Sequence, residues 1–168
     1  MKIALLLTST VCPQVATGKF SESERMEMYH STLQYYADTI GCDYPVVLVE
    51  NSDADLTVWK EEFKESLRLE ILQFVPLELQ NSQSNREDYG FDNRKGKGYN
   101  EYLMIKLALE RSESLKECTH FLKITGRYPM LNIREMLGEM EKRGKDKVMM
   151  CDVKDSRLYE ILWGTSYG

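Results

Sequence analysis

Apolar and polar positions repeat along this chain in two different rhythms. Five short apolar runs predict strands, and the first two are continuous enough to be typical of strands buried on both faces of a sheet. The stretches between them repeat apolar residues every three or four positions, which is the spacing of an amphipathic helix. The predicted strands cover residues 2–8, 45–49, 69–77, 120–125 and 147–153. The predicted helices cover residues 21–40, 55–67, 99–116 and 132–143.

The order of these elements predicts a fold class. Strands that alternate with helices favour a mostly parallel sheet flanked by helices, an α/β fold of the Rossmann-like kind. The 168 residues suit a single domain over residues 1–168. The last residues, ILWGTSYG, fit a natural terminus and equally a chain that continues past Gly168.

Composition and charge narrow the class of protein. The formal net charge of −5 argues against nucleic acid as a partner. The four cysteines have neither the spacing of metal ligands nor the density of a disulfide scaffold, which favours reduced thiols. The first apolar run is too short to span a bilayer and lacks the cleavage pattern of a signal peptide. We therefore expect a cytoplasmic protein.

Polar residues gather where the predicted strands end. In an open parallel sheet, ligands bind at the carboxyl ends of the strands. Here these ends carry cations beside hydrogen-bond acceptors, which is the mixture that a nucleotide-linked ligand needs. The glycine–lysine–glycine turn at 96–98 leads into a predicted helix, so its N–H groups are expected to face a phosphate. The candidate site residues are Thr8, Glu50, Asn51, Asp53, Lys97, Lys123, Arg127, Asp152 and Asp155.

The common motifs for phosphates and nucleophiles are absent from the chain. It contains no GxxxxGK[ST], so a P-loop kinase or GTPase is not expected. No GxGxxG follows the first strand, and no GxSxG elbow occurs. Dinucleotide-dependent dehydrogenases and serine hydrolases therefore lack support.

Three stretches carry a resemblance to a known family. GKGYNEYLMIKLAL, FLKITGRYPMLNI and DVKDSR stand in the order in which glycosyltransferases of the GT-A type carry their nucleotide-sugar site. The chain is most similar to bacterial enzymes of capsule and lipopolysaccharide biosynthesis. The resemblance implies transfer of a sugar from a nucleotide-sugar donor to a polysaccharide or lipid-linked acceptor. It also leaves room for peripheral association with the inner face of the membrane.

The resemblance implies a role for each group of candidates. The strand-end acceptors Glu50, Asn51 and Asp53 would approach the nucleoside, with Thr8 beside them. The cations Lys97, Lys123 and Arg127 would approach the diphosphate. The candidates for catalysis are Asp152 and Asp155, as a general base or as contacts to sugar hydroxyls or to a metal ion.

The chain departs from this family at the metal site. The family's usual Asp-x-Asp is replaced by a strand end with Lys123 and Arg127, which hold no carboxylate for Mg²⁺ or Mn²⁺. We expect these two cations to meet at one diphosphate, with Gly126 making the turn through backbone angles closed to other residues. A divalent metal would then depend on Asp152 and Asp155.

Two other functions stay open on these residues. One is a nucleotide-binding domain that has lost catalysis, and the other is an interaction module in surface-polysaccharide assembly. The candidates also have structural interpretations, since Glu50 and Asp53 suit a turn or a helix cap and Arg127 suits a surface ion pair.

Overall fold

The computed structural model describes residues 1–13, 19–80 and 87–143. The chain forms two compact units, one over Lys2–Leu131 and the other over Asn132–Gly168 together with Met1. The prediction of a single domain stays a prediction. The predicted strand at 147–153, together with Asp152 and Asp155, lies outside the described residues.

The first unit is built around a parallel sheet. In the described residues its strands are β1 (Ile3–Ser9), β2 (Pro45–Glu50), β3 (Arg68–Gln73) and β4 (His120–Thr125). The helices of the chain are α1 (Glu22–Thr39), α2 (Thr57–Glu62), α3 (Lys97–Arg111), α4 (Glu113–Lys116) and α5 (Ile133–Arg143). Single 3₁₀ turns occur at Gly41–Asp43, Leu77–Leu79 and Asn93–Lys95. Of these helices only α5 belongs to the second unit.

The strand order is β3-β2-β1-β4, and every pairing is parallel. The chain first builds outward from β1 to β3 and then returns to place β4 on the other side of β1. The predicted α/β fold with a parallel, Rossmann-like sheet is confirmed. In the register, Leu6 lies beside Lys123 and Thr8 lies beside Thr125.

Both faces of the central strands are covered, as their continuous apolar runs predict. One face packs against α3 and α4, while the alternate residues Leu5, Leu7 and Leu48 are also fully buried. The buried side of α1 supplies Tyr29 and Leu33 to the core. The cluster on the α3 face comprises Ala4, Leu6, Val47, Val49, Phe74, Met104, Leu107, Ala108 and Leu115.

The helix bounds follow local capping chemistry. The hydroxyl of Ser21 accepts a hydrogen bond from the backbone N–H of Glu24, whose carboxylate bonds back to the N–H of Ser21, so a capping box starts α1. The helix predicted at 99–116 is divided at Ser112, because this buried serine caps α4 and donates to Glu70 at 2.7 Å. The helix predicted at 55–67 is limited to α2.

Of the helices in the described residues, none is both long enough and apolar enough to cross a bilayer.

Candidate functional site

The strand order reverses between β1 and β4, and at such a reversal the loops after the two strands diverge and leave a crevice. The N–H of Gly126, just after β4, donates to the carbonyl of Thr8 at 3.1 Å. A Cβ at position 126 would lie 3.0 Å from this carbonyl oxygen and 3.2 Å from the ring of Tyr29. The two strand ends are therefore held together by a close backbone approach, at which any side chain would be crowded.

The expected reason for Gly126 was wrong. Its φ lies outside the left-handed region, which among the described glycines is occupied by Gly41, Gly90 and Gly96. Gly126 suits this position because a Cβ would be crowded by the backbone of Thr8 and the ring of Tyr29. Gly96, at φ 86°, is the glycine whose backbone angles are closed to other residues, and it immediately precedes α3.

A polar cluster lies on the α3 face of this strand end. The ammonium group of Lys123 pairs with Oε1 of Glu101 in α3, and the hydroxyl of Thr8 donates to the same oxygen at 3.0 Å. The side chains of Lys123 and Glu101 are 29% and 40% exposed, so both are partly shielded from water. We call Thr8, Glu101 and Lys123 the α3 cluster.

Opposing effects set the pKa of Glu101. Partial burial acts to raise it, but the hydrogen bond and the charge of Lys123, with the bond from Thr8, outweigh burial. The pKa of Glu101 is therefore lowered, and at neutral pH the carboxylate holds Lys123 and Thr8 in fixed positions.

Glu101 was missed by the sequence analysis, although a signal was present. It lies three residues before Met104 and seven before Ala108, which places it on the buried stripe of α3. A carboxylate on an apolar stripe needs a partner, and the lysine of the next strand supplies it.

A second cluster organises the loop after β1. Glu50 is 0% exposed, and its Oε1 accepts hydrogen bonds from the N–H of Val11 at 3.0 Å and from the hydroxyl of Ser52. Burial raises the pKa of Glu50, and the bonds from Ser52, Ser9 and Val11 act in the other direction. Its Oε2 is buried without a hydrogen-bond partner in the described residues. Glu50 therefore supports a loop and offers no surface to a ligand.

The residues that follow Glu50 also form hydrogen bonds with the loop after β1. Oδ1 of Asn51 accepts from the hydroxyl of Thr10 at 2.5 Å, and the hydroxyl of Ser52 accepts from the N–H of Cys12 at 3.1 Å. From α1, the hydroxyl of Tyr29 accepts from the N–H of Thr10 at 3.0 Å. The strand-end acceptors of β2 are thus directed at the loop that follows β1. Asp53, by contrast, is exposed.

The start of α3 carries the predicted glycine–lysine–glycine turn. Lys97 is the first residue of α3 and is exposed. Nearby, Arg94 forms two bonds of 2.9 Å with Asp92, which lower the pKa of Asp92 to about 2. The ammonium group of Lys95 lies 4.4 Å from the ring centroid of Tyr99. Arg94 is therefore neutralised locally, and Lys97 stays a candidate for an anion.

Arg127 lies apart from the α3 cluster. Its guanidinium carbon is 5.9 Å from the ring centroid of Phe20 and 5.8 Å from that of Tyr128. It lines a cavity of about 470 Å³ between the first half of α1 and the chain after β4. We call this cavity the α1 cleft. The structure brings Thr8 and Lys123 together through Glu101, but it does not bring Lys123 and Arg127 to one point.

The described residues do not provide a metal centre. No group of three or more histidine, cysteine, aspartate or glutamate side chains is placed for metal binding in the ranges 1–13, 19–80 and 87–143. The two predicted metal ligands, Asp152 and Asp155, lie outside these ranges.

Comparison with known proteins identifies no relative of this chain. No family model, curated protein or solved structure matches it.

Proposed function

We propose that this chain is a glycosyltransferase domain of the GT-A type that binds a nucleotide-sugar donor at the carboxyl ends of β1 and β4. The observation that carries the proposal is the reversal of strand order at β1, with the α3 cluster at that point. In open parallel sheets, nucleotides bind at such a reversal. The acceptor is a glycan or a lipid-linked saccharide.

In this proposal Lys123 contacts the diphosphate. An ammonium group has three N–H donors, and the bond to Glu101 uses one of them. Because Glu101 fixes the direction of the lysine side chain, the other donors need little further ordering when an anion arrives. Glu101 is a positioning residue that holds both Lys123 and the hydroxyl of Thr8.

Glu50 and Asn51 act indirectly in this proposal. Glu50 has no exposed surface, and Asn51 bonds to Thr10, so both residues hold the loop after β1 in place beside the donor. Lys97 is exposed at the N-terminus of α3, where its charge and the helix dipole both favour a phosphate. No step of the proposal uses a metal ion.

Binding is tested by titrating the whole chain with uridine, guanosine, cytidine and thymidine diphosphates, their sugar conjugates, and the parent nucleosides. We expect at least one diphosphate to raise the melting temperature, because a ligand that binds only the folded state stabilises it. Lys123→Met should weaken binding of that diphosphate by about 1.5–3 kcal/mol, the value of a hydrogen bond to a charged group. It should weaken binding of the parent nucleoside much less.

The control for this variant is Lys116→Met. Lys116 also pairs with a glutamate at a 2.7 Å distance, but it lies in α4 on the surface. If no diphosphate binds, or if both variants weaken binding equally, the proposal is wrong. Release of free sugar or transfer to a saccharide acceptor then separates an active enzyme from a domain that only binds nucleotide.

A further inference from the structure

The α1 cleft is a cavity beside the carboxyl end of β4, and its lining includes none of the residues of the α3 cluster. Its volume of about 470 Å³ falls within the range of roughly 300–1,000 Å³ that is typical of small-molecule sites. One wall is formed by α1, with Glu24 and Glu27, and by Phe20, two residues before this helix. The other wall is formed by Arg127 and Tyr128.

Arg127 presents unused donors to this cleft. Its guanidinium group lies near two aromatic rings, and among the described residues it has neither a carboxylate partner nor a hydrogen-bond acceptor. A guanidinium group carries five N–H donors in a planar fork. The hydroxyl of Thr32 is buried in the wall of the same cleft and also has no hydrogen-bond partner in the described residues.

The charges in the cleft restrict the chemical class of ligand that it can bind. Glu24 and Glu27 line the cleft with two negative charges, against the one positive charge of Arg127 in its lining. The ammonium group of Lys19 lies beside the cleft, 5.9 Å from the ring centroid of Phe20. A diphosphate would meet both carboxylates, and an organic cation would meet Arg127, so neither class is well matched. A neutral molecule with several hydroxyl groups can donate to the carboxylates and accept from Arg127 at the same time.

The aromatic rings complete this chemistry. The faces of Phe20 and Tyr128 carry the negative part of the ring quadrupole, which attracts the weakly positive C–H edges of a saturated ring. Tyr128 is 54% exposed, so its ring is available to a ligand that enters from solvent.

We propose that the α1 cleft binds a neutral sugar ring through Tyr128, Arg127 and Glu27. The inference rests on the proposed function in one respect, because it identifies the glycan side of the transfer with this cleft. It reassigns Arg127 from the diphosphate to sugar hydroxyls, and it leaves the donor at the α3 cluster.

The test measures saturation-transfer NMR signals of neutral methyl hexosides and of the corresponding hexuronates with the whole chain. We expect the neutral hexosides to bind, and the hexuronates to bind roughly three-fold more weakly because their carboxylate meets those of Glu24 and Glu27. Tyr128→Ala should reduce the hexoside affinity about five-fold, which corresponds to ~1 kcal/mol of lost ring contact. Glu27→Gln should reduce the difference in affinity between hexosides and hexuronates, because it removes one of the carboxylates that repel the hexuronate.

The matched control is Tyr102→Ala, since Tyr102 is 65% exposed on α3 and does not line the cleft. Thermal unfolding of each variant confirms that it is folded. The inference is overturned if no hexoside binds, if both tyrosine variants lose affinity equally, or if the hexuronates bind more tightly.

The same samples are titrated with the nucleoside diphosphate that binds best. Diphosphate binding without hexoside binding rejects the inference and leaves the proposed function intact. Hexoside binding that depends on Tyr128, without diphosphate binding by any variant, rejects the proposed function and supports the cleft as a sugar site.

Discussion

Glu50 provides the sharpest test of how the site is held together. Its carboxylate has no exposed surface and accepts hydrogen bonds from the N–H of Val11 and the hydroxyl of Ser52. Replacement by alanine leaves both donors without this acceptor, at a cost of about 1–3 kcal/mol for each buried group. Removal of the buried side chain adds a packing loss. We expect Glu50→Ala to lower the free energy of unfolding by about 3–5 kcal/mol.

Glu50→Gln separates shape from charge at the same position. The amide oxygen can accept both hydrogen bonds and no charge has to be buried, but the amide NH₂ group replaces Oε2, which has no hydrogen-bond partner in the described residues. We therefore expect a smaller loss of stability at pH 7 than in Glu50→Ala. Chemical denaturation, followed by circular dichroism, measures all three proteins.

The stability difference between the native chain and Glu50→Gln should change with pH in a definite direction. Burial raises the pKa of Glu50 above its ordinary value of 4.5, so the folded chain binds this proton more tightly than the unfolded chain does. The native chain should therefore lose stability relative to Glu50→Gln as the pH rises from about 4.5 through the folded pKa, and the difference should then become constant.

Two outcomes would contradict this account of Glu50. One is a loss of less than about 1 kcal/mol in Glu50→Ala, which would mean that the loop does not depend on the carboxylate. The other is a native chain that gains stability relative to Glu50→Gln over the same pH range.

Three further substitutions probe the two sides of the sheet edge, each by equilibrium unfolding. Gly126→Ala should destabilise the fold by about 1–3 kcal/mol, because the new Cβ meets the backbone oxygen of Thr8 at 3.0 Å; an unchanged stability would contradict this. Thr32→Val should stabilise the fold by about 1 kcal/mol, because a buried, unpartnered hydroxyl is removed, and a loss would indicate a missed partner. Glu101→Gln should cost about 0.5–1 kcal/mol at pH 7 through its half-exposed pair with Lys123. Because the pKa of Glu101 is lowered, this cost should vanish as the pH falls through the folded pKa, and a cost that persists in acid would contradict the pairing.

The two central strands were predictable because they are buried on both faces. The runs at β1 and β2 are continuous and apolar, and a run of this kind has few alternatives to a central parallel strand. The break between α3 and α4 was harder to predict from the sequence. It depends on a hydrogen bond between Ser112 and a glutamate 42 positions earlier in the chain, and helical periodicity gives no information about such a distant contact.

The candidate site was predictable as a location more than as a set of contacts. Strand ends in a parallel sheet meet at one edge whatever their sequence, so Thr8 and Lys123 were correctly expected at the same edge. The partners of a polar residue depend on packing in three dimensions. Glu50 was expected to meet a nucleoside, but burial directs its carboxylate to a loop, and no local pattern separates these two roles.

Lys123 and Arg127 illustrate why spacing alone misleads at the end of a strand. Within β4 the side chain of Lys123 points to the face that packs on α3, as its register with Leu6 shows. The strand ends at Thr125, and beyond it the alternation of faces no longer applies, so Arg127 is free to lie beside Phe20 next to α1. Lys123 therefore pairs with Glu101 of α3, whereas Arg127 lies on the α1 side beside aromatic rings.

That separation changes what the edge of the sheet can do. A cleft in which both cations faced one point would favour a single, highly charged ligand. Here the charge of Lys123 is offset by Glu101, and Arg127 shares the α1 cleft with Glu24 and Glu27. In the proposed function, these two sites on either side of β4 would hold two different ligands at the end of one strand. Transfer of a sugar from a donor to an acceptor would need such an arrangement, since proximity and orientation supply much of the rate of such a reaction.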